Sequence, residues 1–371
     1  MKNQICPGCG ITLQSQDSQA PGYVPKDKTG TAVVCQRCYQ IKHYKKITGE
    51  RVAEESNHQA IRAATGKADL TLLVADFFDP EGSFAPDWAE LIKTGGGQPI
   101  KLLVNKSDLL PPKTNREEIE EYLADLWQRR FPGTNLAGVK AVSAKEQTGL
   151  TAMLKELSGL RIAIVGAANV GKSSLLVRII AENGKRYSQK SPTISSFPGT
   201  TQGITRWPLS KFEIELFDTP GLIPGSRIGD LLCPECSGCL LPERRLQAKI
   251  WELPEDNAVL FGDLAGVWNT SAATAKAVFF SAESLTLHRT NSKKAEKLLK
   301  ESSQWLRAVC ARDRSALQYT EKRLTVKPGE DLYISGLGWL AVKNEPARFR
   351  VEVPSGVETG VRPSLIGKRQ R

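Results

Sequence analysis

The chain has 371 residues and a formal net charge of +11, and 40% of its residues are hydrophobic while 25% are charged. This composition excludes a wholly disordered or fibrous protein, and the length predicts two or three domains. No apolar run approaches the roughly 18 residues that a membrane span needs, and the first residues lack the apolar stretch of a signal peptide, so we expect a cytoplasmic protein.

Four of the eight cysteines form two pairs near the N-terminus: Cys6 with Cys9, and Cys35 with Cys38. Two residues between thiolates let one tight turn present both sulfurs to a single ion, and two such turns complete the Cys₄ shell of a structural zinc site. The stretch between the pairs is too poor in apolar residues to form a core, so metal binding would supply most of its folding free energy. We predict a zinc module over residues 1–55.

The next part of the chain, residues 56–230, alternates short apolar strands with helices. This alternation predicts an α/β fold with a mostly parallel sheet covered on both faces. Strands are predicted at 69–76, 99–105, 139–142, 162–165 and 212–217, and helices at 116–130 and 174–180.

Two base-reading motifs follow the second and third predicted strands. They are Asn105-Lys106-Ser107-Asp108 and Ser143-Ala144-Lys145. The Asp108 carboxylate can accept both the N1–H and the 2-amino hydrogen of guanine, a donor pair that adenine lacks, and such readout discriminates by about 10⁴–10⁵. Lys106 would pack along the base, Asn105 would tie the loop together, and a backbone N–H near Ala144 would reach the guanine O6.

A phosphate-binding loop lies between the predicted strand 162–165 and the predicted helix 174–180. It reads Gly166-Ala167-Ala168-Asn169-Val170-Gly171-Lys172-Ser173, followed by Ser174. Its glycines let backbone N–H groups close around the β-phosphate at a helix N-terminus. Lys172 would bridge the β- and γ-phosphates, and Ser173 would place its hydroxyl on Mg²⁺. With the base-reading motifs, this loop predicts GTP and GDP as the ligands rather than ATP.

Two further segments complete the predicted nucleotide site. They are Pro198-Gly199-Thr200-Thr201 and Asp218-Thr219-Pro220-Gly221. Thr201 is the favoured Mg²⁺ ligand, with Thr200 as the alternative. Asp218 would hold Mg²⁺ through water, and the Gly221 N–H would meet the γ-phosphate.

The order of these motifs indicates a circular permutation. In an ordinary GTPase the phosphate loop comes first and the base-reading motifs come last, whereas here the motifs at 105 and 143 precede the loop at 166. Domains tolerate this rearrangement because their termini often lie close together. The segment after Gly221 leads directly into the C-terminal region, so loss of the γ-phosphate would be felt there first.

Residues 231–371 predict a separate α+β domain. Strands are predicted at 258–261, 277–280 and 331–335, with a Lys-rich helix at 291–306. Net charge is +4 over residues 1–66, −1 over 67–290 and +8 over 291–371. Flanking domains that hold a polyanion would show this distribution, and so would ordinary solvated basic surfaces.

A second group of cysteines lies in this C-terminal part: Cys233, Cys236 and Cys239, with Cys310 far along the chain. Three thiols at this spacing could share one metal, with Cys310 as the fourth ligand. Zinc, an iron–sulfur cluster and free thiols all remain compatible with the pattern.

Together, these motifs resemble the YqeH family of circularly permuted bacterial GTPases over nearly the full chain. Three C-terminal signatures add to the resemblance: Leu287-His288-Arg289-Thr290, Ser335-Gly336-Leu337-Gly338-Trp339 and Arg362-Pro363-Ser364-Leu365-Ile366. The resemblance implies a ribosome-assembly factor for the small (30S) subunit that binds rRNA or pre-ribosomal particles. The second cysteine group departs from the family pattern.

Two residues bear on GTP hydrolysis. Leu222 stands where many GTPases carry a glutamine that orients the attacking water, and leucine does not serve that role. Asn169 resembles the asparagine that helps related GTPases bind K⁺, although an N-cap or a loop hydrogen bond would also explain it. We therefore expect a slow GTPase, stimulated by K⁺ if Asn169 binds the ion, and keep as the alternative a nucleotide-gated RNA-binding switch with negligible turnover. A GTPase of tRNA modification is disfavoured, because no one-carbon or redox site is visible.

Overall fold

The computed structural model divides into two compact units, residues 1–107 with 120–223 and residues 108–119 with 224–371. No helix in the described part of the chain is long and apolar enough to cross a membrane. The structure describes residues 4–28, 34–44, 54–112, 114–146, 149–184, 203–301 and 303–367.

A six-stranded sheet forms the centre of the first unit. Its strands are β1 (Leu70–Asp76), β2 (Ile100–Asn105), β3 (Leu136–Ala141), β4 (Arg161–Gly166), β5 (Thr205–Leu209) and β6 (Ile214–Asp218). They lie in the order β3-β2-β1-β4-β6-β5; the first five are parallel, and the edge strand β5 is antiparallel to β6. Every residue of β1 and β2 is buried, as expected for inner strands of a parallel sheet.

The strand order accounts for the permuted motif order. β4, which leads into the phosphate loop, lies between β1 and β6, so the chain returns from the edge strand β3 to the middle of the sheet. Because β2, β3, β4 and β6 are parallel, the motifs that follow them emerge at one edge, where open α/β sheets bind their ligands. The predicted permuted P-loop GTPase fold is confirmed.

Helices cover the parallel sheet. The helix after the phosphate loop, α7 (Lys172–Glu182), buries Leu175, Leu176 and Ile179 in a cluster with Ile162 and Ile164 of β4. The helices of this part of the chain are α1 (Gln36–Tyr44), α2 (Glu54–Thr65), α3 (Pro80–Ser83), α4 (Trp88–Thr94), α5 (Arg116–Arg130), α6 (Leu150–Glu156) and α7 (Lys172–Glu182).

The second unit contains two five-stranded sheets in which every pairing is antiparallel. The strands are β7 (Lys249–Leu253), β8 (Asn257–Phe261), β9 (Ala265–Asn269), β10 (Ala275–Ser281), β11 (Leu287–Asn291), β12 (Tyr319–Val326), β13 (Glu330–Ile334), β14 (Gly338–Val342), β15 (Ala347–Pro354) and β16 (Thr359–Pro363). The helices are α8 (Pro234–Cys239), α9 (Ser292–Glu301) and α10 (Ala311–Ala316).

One apolar core joins the two sheets, which have the orders β16-β13-β14-β10-β7 and β11-β8-β9-β15-β12. Phe279 and Leu340 from the first sheet lie in the same buried cluster as Phe261 and Phe349 from the second. The predicted separate α+β domain is confirmed. The second unit continues from Pro224, and Ile228 is fully buried in this core and donates its N–H to the Ser335 carbonyl at 3.1 Å.

Candidate functional site

The four N-terminal cysteines converge in a small core. Cys6, Cys9, Cys35 and Cys38 are all fully buried, and their sulfurs lie within 4.8 Å of one another. The Cys35 N–H donates to the Cys6 sulfur at 3.3 Å, and the Cys38 N–H donates to the Cys35 sulfur at 3.4 Å. Hydrogen bonds from the Cys35 and Cys38 thiols lower the pKa of the Cys6 thiol and so favour its thiolate form. This closed donor set of four cysteine sulfurs fits a structural zinc ion.

The zinc module contacts the chain just beyond the Thr200–Thr201 segment. Gly203 donates its N–H to the Cys9 carbonyl at 2.8 Å. The backbones of Gly10 and Gly203 lie so close that a Cβ on either would collide with the other. Gly10 also has a φ of 80°, a conformation that favours glycine. The first cysteine turn is therefore held against the start of the segment that leads into β5.

The phosphate loop has the backbone that such a loop requires. Asn169 has a φ of 66° and Gly171 a φ of 88°, and Gly171 is the N-cap of α7. Asparagine is one of the few residues besides glycine that adopt this left-handed conformation readily. Since Gly171 caps the helix, the N-cap explanation for Asn169 is wrong, and its left-handed backbone is a structural reason for an asparagine.

Lys172 connects the phosphate loop to the Asp218 segment. Its ammonium lies 2.8 Å from the Asp218 carboxylate and also donates to the Thr219 carbonyl. The two side chains are 5% and 1% exposed. Thr219 in turn donates its hydroxyl to the Ile164 carbonyl of β4 at 3.0 Å, which fixes this segment beside the loop. The structure thus brings Lys172 and Asp218 together at the end of β4 and β6.

Backbone contacts hold the residues after Asp218 against the phosphate loop. The Ala168 N–H donates to the Leu222 carbonyl at 2.7 Å, and the Leu222 N–H donates to the Gly166 carbonyl at 3.3 Å. A Cβ on Gly221 would lie 3.1 Å from the Ala168 Cα, tighter than side chains ordinarily pack. Leu222 itself is 2% exposed. A rearrangement of this segment would therefore break bonds to the loop itself.

Asn105 links the two base-reading motifs to the phosphate loop. Its side-chain amide donates to the Val170 carbonyl at 2.9 Å, and its side-chain oxygen accepts the Ala144 N–H at 3.2 Å. Ser143 is fully buried and accepts the Glu146 N–H at 2.9 Å, which closes the second base-reading loop. Thus one side chain joins segments that follow three different strands.

The sequence predictions missed one partner in this region. The Lys106 ammonium lies 2.5 Å from the Asp76 carboxylate, and Lys106 has a φ of 65°. Asp76 is the last residue of β1, and its other carboxylate oxygen accepts the Phe78 N–H at 2.9 Å. Its place at the carboxyl end of a buried parallel strand was the available signal.

For the other predicted site residues that it describes, the structure gives the element on which each lies or its exposure. Asp108 lies in a 3₁₀ turn, Ser107–Leu109, directly after β2, and Lys145 is exposed. Ser173 and Ser174 lie in the first turn of α7. Thr200 and Thr201 lie outside the described residues.

The second cysteine group is brought together with a different fourth residue. Cys233, Cys236 and Cys310 form a cluster with Asp313, and all four ligand atoms lie within 4.8 Å of one another. Cys239 is exposed at the last residue of α8 and is not part of this cluster.

Comparisons with known proteins agree with this architecture. Residues 161–235 match the family model described as a 50S ribosome-binding GTPase, and residues 274–365 match the model of the YqeH-like C-terminal domain. The uncharacterized protein YqeH of Bacillus subtilis is 28% identical over 99% of this chain and 100% of its own length. NO-associated protein 1 of Arabidopsis thaliana is 24% identical over 97% of this chain and 76% of its own.

Among solved structures, that of YjeQ from Thermotoga maritima is 23% identical, with a TM-score of 0.28. The match covers 41% of this chain and about half (48%) of the YjeQ chain. The motif order, the phosphate-loop strand in mid-sheet, the C-terminal domain match and the full-length similarity to YqeH agree with one another. The chain is therefore similar to YqeH over its full length, with one segment that matches a GTPase family model and another that matches the YqeH-like C-terminal model.

Proposed function

We propose that this GTPase acts in assembly of the small ribosomal subunit, where it binds rRNA or a subunit precursor and couples that binding to GTP hydrolysis. Its three parts would be the zinc module (1–55), the permuted GTPase domain (56–230) and the basic C-terminal domain (231–371). The observation that carries the RNA component is a basic surface on α9. The resemblance to the YqeH family implies action on the small subunit. The family model that matches residues 161–235 is described as a 50S ribosome-binding GTPase, which refers to the large subunit.

The surface of α9 pairs lysines with an exposed aromatic side chain. Its inner face, Ala295, Leu298 and Leu299, packs on β8 and β9. Its outer face carries four lysines, Lys293, Lys294, Lys297 and Lys300, all exposed. Trp305, just beyond the helix, is 55% exposed, and its ring lies nearly perpendicular to the His288 ring, with the centroids 4.8 Å apart. Ammonium groups that neutralise phosphates and an indole on which a base can stack are the usual elements of single-stranded RNA binding.

The subunit assignment is tested by sedimentation of the full chain with purified small and large ribosomal subunits in GTP, in GDP and without nucleotide. We expect association with the small subunit, strongest in GTP. Changing Lys293, Lys294 and Lys300 to glutamine should weaken binding and reduce the salt slope of log K by about 2, since each phosphate contact contributes about 0.7. The matched control changes three exposed lysines of the first unit: Lys67, Lys93 and Lys155. Association with the large subunit alone, or with neither, would contradict the proposal.

Guanine recognition is proposed to depend on Asp108. In Asp108→Asn the side-chain amide places a hydrogen-bond donor opposite the donors of guanine, so GTP affinity should fall by at least about 100-fold. The affinity for xanthosine triphosphate should rise. Competition between the two nucleotides for a fluorescent GTP analogue measures this exchange. Asp125→Asn, at an exposed position of α5, is the control. Unchanged GTP affinity in Asp108→Asn would place the base elsewhere.

Stimulation by K⁺ is proposed to depend on the Asn169 side chain. Hydrolysis should be faster in K⁺ than in Na⁺ at equal ionic strength, because a cation beside the phosphates offsets the developing charge. Asn169→Gly is the informative variant, since glycine keeps the left-handed backbone while the side-chain oxygen is lost. The rate ratio between the salts should fall toward one in this variant. Equal rates in both salts for the parent protein would rule out the role of K⁺.

A nucleotide-gated RNA-binding switch with negligible turnover is the second candidate function. The buried Leu222 favours it, because this position offers no polar group to orient water and is tied by backbone bonds to the phosphate loop. Single-turnover phosphate release in the presence of small subunits separates the two. Release on the timescale of subunit binding supports the enzyme, and GTP that stays intact through binding and dissociation supports the switch.

A further inference from the structure

Two short turns in the C-terminal domain repeat one pattern. Cys233 is the N-cap of α8, with φ −62° and ψ 156°, and Cys310 is the N-cap of α10, with φ −65° and ψ 157°. Each is followed three residues later by a second candidate ligand, Cys236 in one turn and Asp313 in the other. We call the segments 233–236 and 310–313 the two ligand turns. They lie far apart in sequence and have nearly the same backbone at their first residue.

The two ligand turns are joined by reciprocal hydrogen bonds. The Cys233 N–H donates to the Asp313 carboxylate at 2.7 Å, and the Cys310 N–H donates to the Cys236 sulfur at 3.2 Å. The first residue of each turn thus donates to the ligand atom at the end of the other. Asp313 and Cys236 are both buried. This arrangement aims three sulfurs and one carboxylate oxygen at a common point.

The same local geometry occurs in the N-terminal Cys₄ cluster. There the Cys38 N–H donates to the Cys35 sulfur at 3.4 Å, and in the C-terminal domain the Asp313 N–H donates to the Cys310 sulfur at the same distance. The Cys35 N–H also reaches a sulfur of the opposite pair at 3.3 Å, as the Cys310 N–H does at 3.2 Å. Such N–H···S bonds stabilise thiolates and orient metal ligands. The ligand turns share this feature with the Cys₄ site.

The donor set and its spacing select one kind of occupant. A tetrahedral ion with metal–sulfur bonds of about 2.3 Å holds its sulfurs about 3.8 Å apart, and the four ligand atoms here lie within 4.8 Å of one another. An iron–sulfur cluster spreads its thiolates over several irons, which requires a wider set. We propose that Cys233, Cys236, Cys310 and Asp313 bind a single Zn²⁺ ion as a second, structural zinc site.

This site would close a long loop of the chain. The first ligand turn follows the Asp218–Leu222 segment in sequence, and the second lies between α9 and β12. An ion bound to both turns would tie the start of the C-terminal domain to a segment in the middle of that domain. Binding would also release the protons of the cysteine thiols. Exposed Cys239 would remain a free thiol.

The proposal is tested by counting zinc in the purified full chain by mass spectrometry. We expect the Cys236→Ala/Cys310→Ala variant to hold one zinc ion fewer per chain than the parent, and the Cys239→Ser control to hold as many as the parent. Equal zinc in the parent and the double variant would overturn the site. Loss of an ion in Cys239→Ser would overturn the ligand set.

A second variant tests the site independently, in case the double variant fails to fold. Asp313→Cys should keep the full zinc content, and after exchange into Co²⁺ it should show stronger sulfur-to-cobalt absorption than the parent, because a fourth thiolate joins the ion. Unchanged absorption in Asp313→Cys would overturn the role of Asp313. None of these readouts depends on ribosome binding, so the site and the proposed function fail or stand separately.

Discussion

The variant Lys172→Met should lower GTP affinity and the rate of hydrolysis by at least about 10²–10³-fold. Lys172 lies in the first turn of α7, where its ammonium pairs with Asp218 at 2.8 Å and reaches the Thr219 carbonyl. In the GTP complex the same ammonium would neutralise charge between the β- and γ-phosphates, which methionine does not do. Equilibrium binding of a fluorescent GTP analogue and single-turnover phosphate release measure the two effects separately.

Two comparisons keep this result specific. Lys93→Met, at an exposed position on α4, removes an equal charge away from the site and should leave both quantities unchanged. Because methionine leaves the Asp218 carboxylate without its ammonium neighbour, thermal unfolding of Lys172→Met should be recorded beside the kinetics. If a well-folded variant binds GTP as the parent does, then the phosphates lie elsewhere.

The conformation of the phosphate loop was predictable because its information is local. Eight consecutive residues define the phosphate loop, and their conformation is set by residues that accept a positive φ, Asn169 and Gly171. Apolar runs predicted β1, β2 and β4 to within one residue at every end, since buried parallel strands are almost continuously hydrophobic. The order of the motifs then predicted the permutation.

Other contacts were not predictable, because they join residues that are distant in sequence. Cys239 has the same spacing from Cys236 as Cys233 has, so spacing alone favoured it as a ligand. Only the pairing of two ligand turns brings Asp313 to the cluster instead. The approach of Gly10 to Gly203 likewise joins two segments that are distant in sequence.

The C-terminal domain was also predicted incompletely. Its strands are short, and the apolar pattern of β12 and β16 is weak, because many of their residues are only half-buried. The Lys-rich helix was predicted to reach residue 306, but α9 ends at Glu301. The family resemblance identified three sequence signatures in this domain, but it did not predict what their residues contact in the structure.

One of those signatures, Arg362 to Ile366, surrounds a buried carboxylate. Asp331 is fully buried on β13 and lies 3.6 Å from the Arg362 guanidinium. It also accepts the Ser364 hydroxyl and the Leu365 N–H, each at 2.8 Å. Burial raises the pKa of the Asp331 carboxyl, whereas the guanidinium beside it favours the ionised form. Three groups from one short segment thus bind a single side chain.

The variant Asp331→Ala should therefore lower the free energy of unfolding by about 3–5 kcal/mol, because it leaves the buried Arg362 charge without its carboxylate and two donors without their acceptor. Denaturation of the full chain, followed by tryptophan fluorescence, measures this loss. Asp331→Asn should cost less, since an amide oxygen can still accept one of the two hydrogen bonds. Glu345→Ala, which removes an exposed carboxylate of the same domain, should change stability little.

The comparison of these variants also decides what the signature does. If Asp331→Ala destabilises the domain as expected while Arg362, at 5% exposure, stays buried, then the signature is structural and RNA contacts must come from exposed residues such as those of α9. Stability close to the parent in Asp331→Ala, combined with weaker RNA binding, would contradict this and make Arg362 a ligand for RNA. Because a fully buried ion pair is costly to break and inaccessible to a phosphate, we expect the structural outcome.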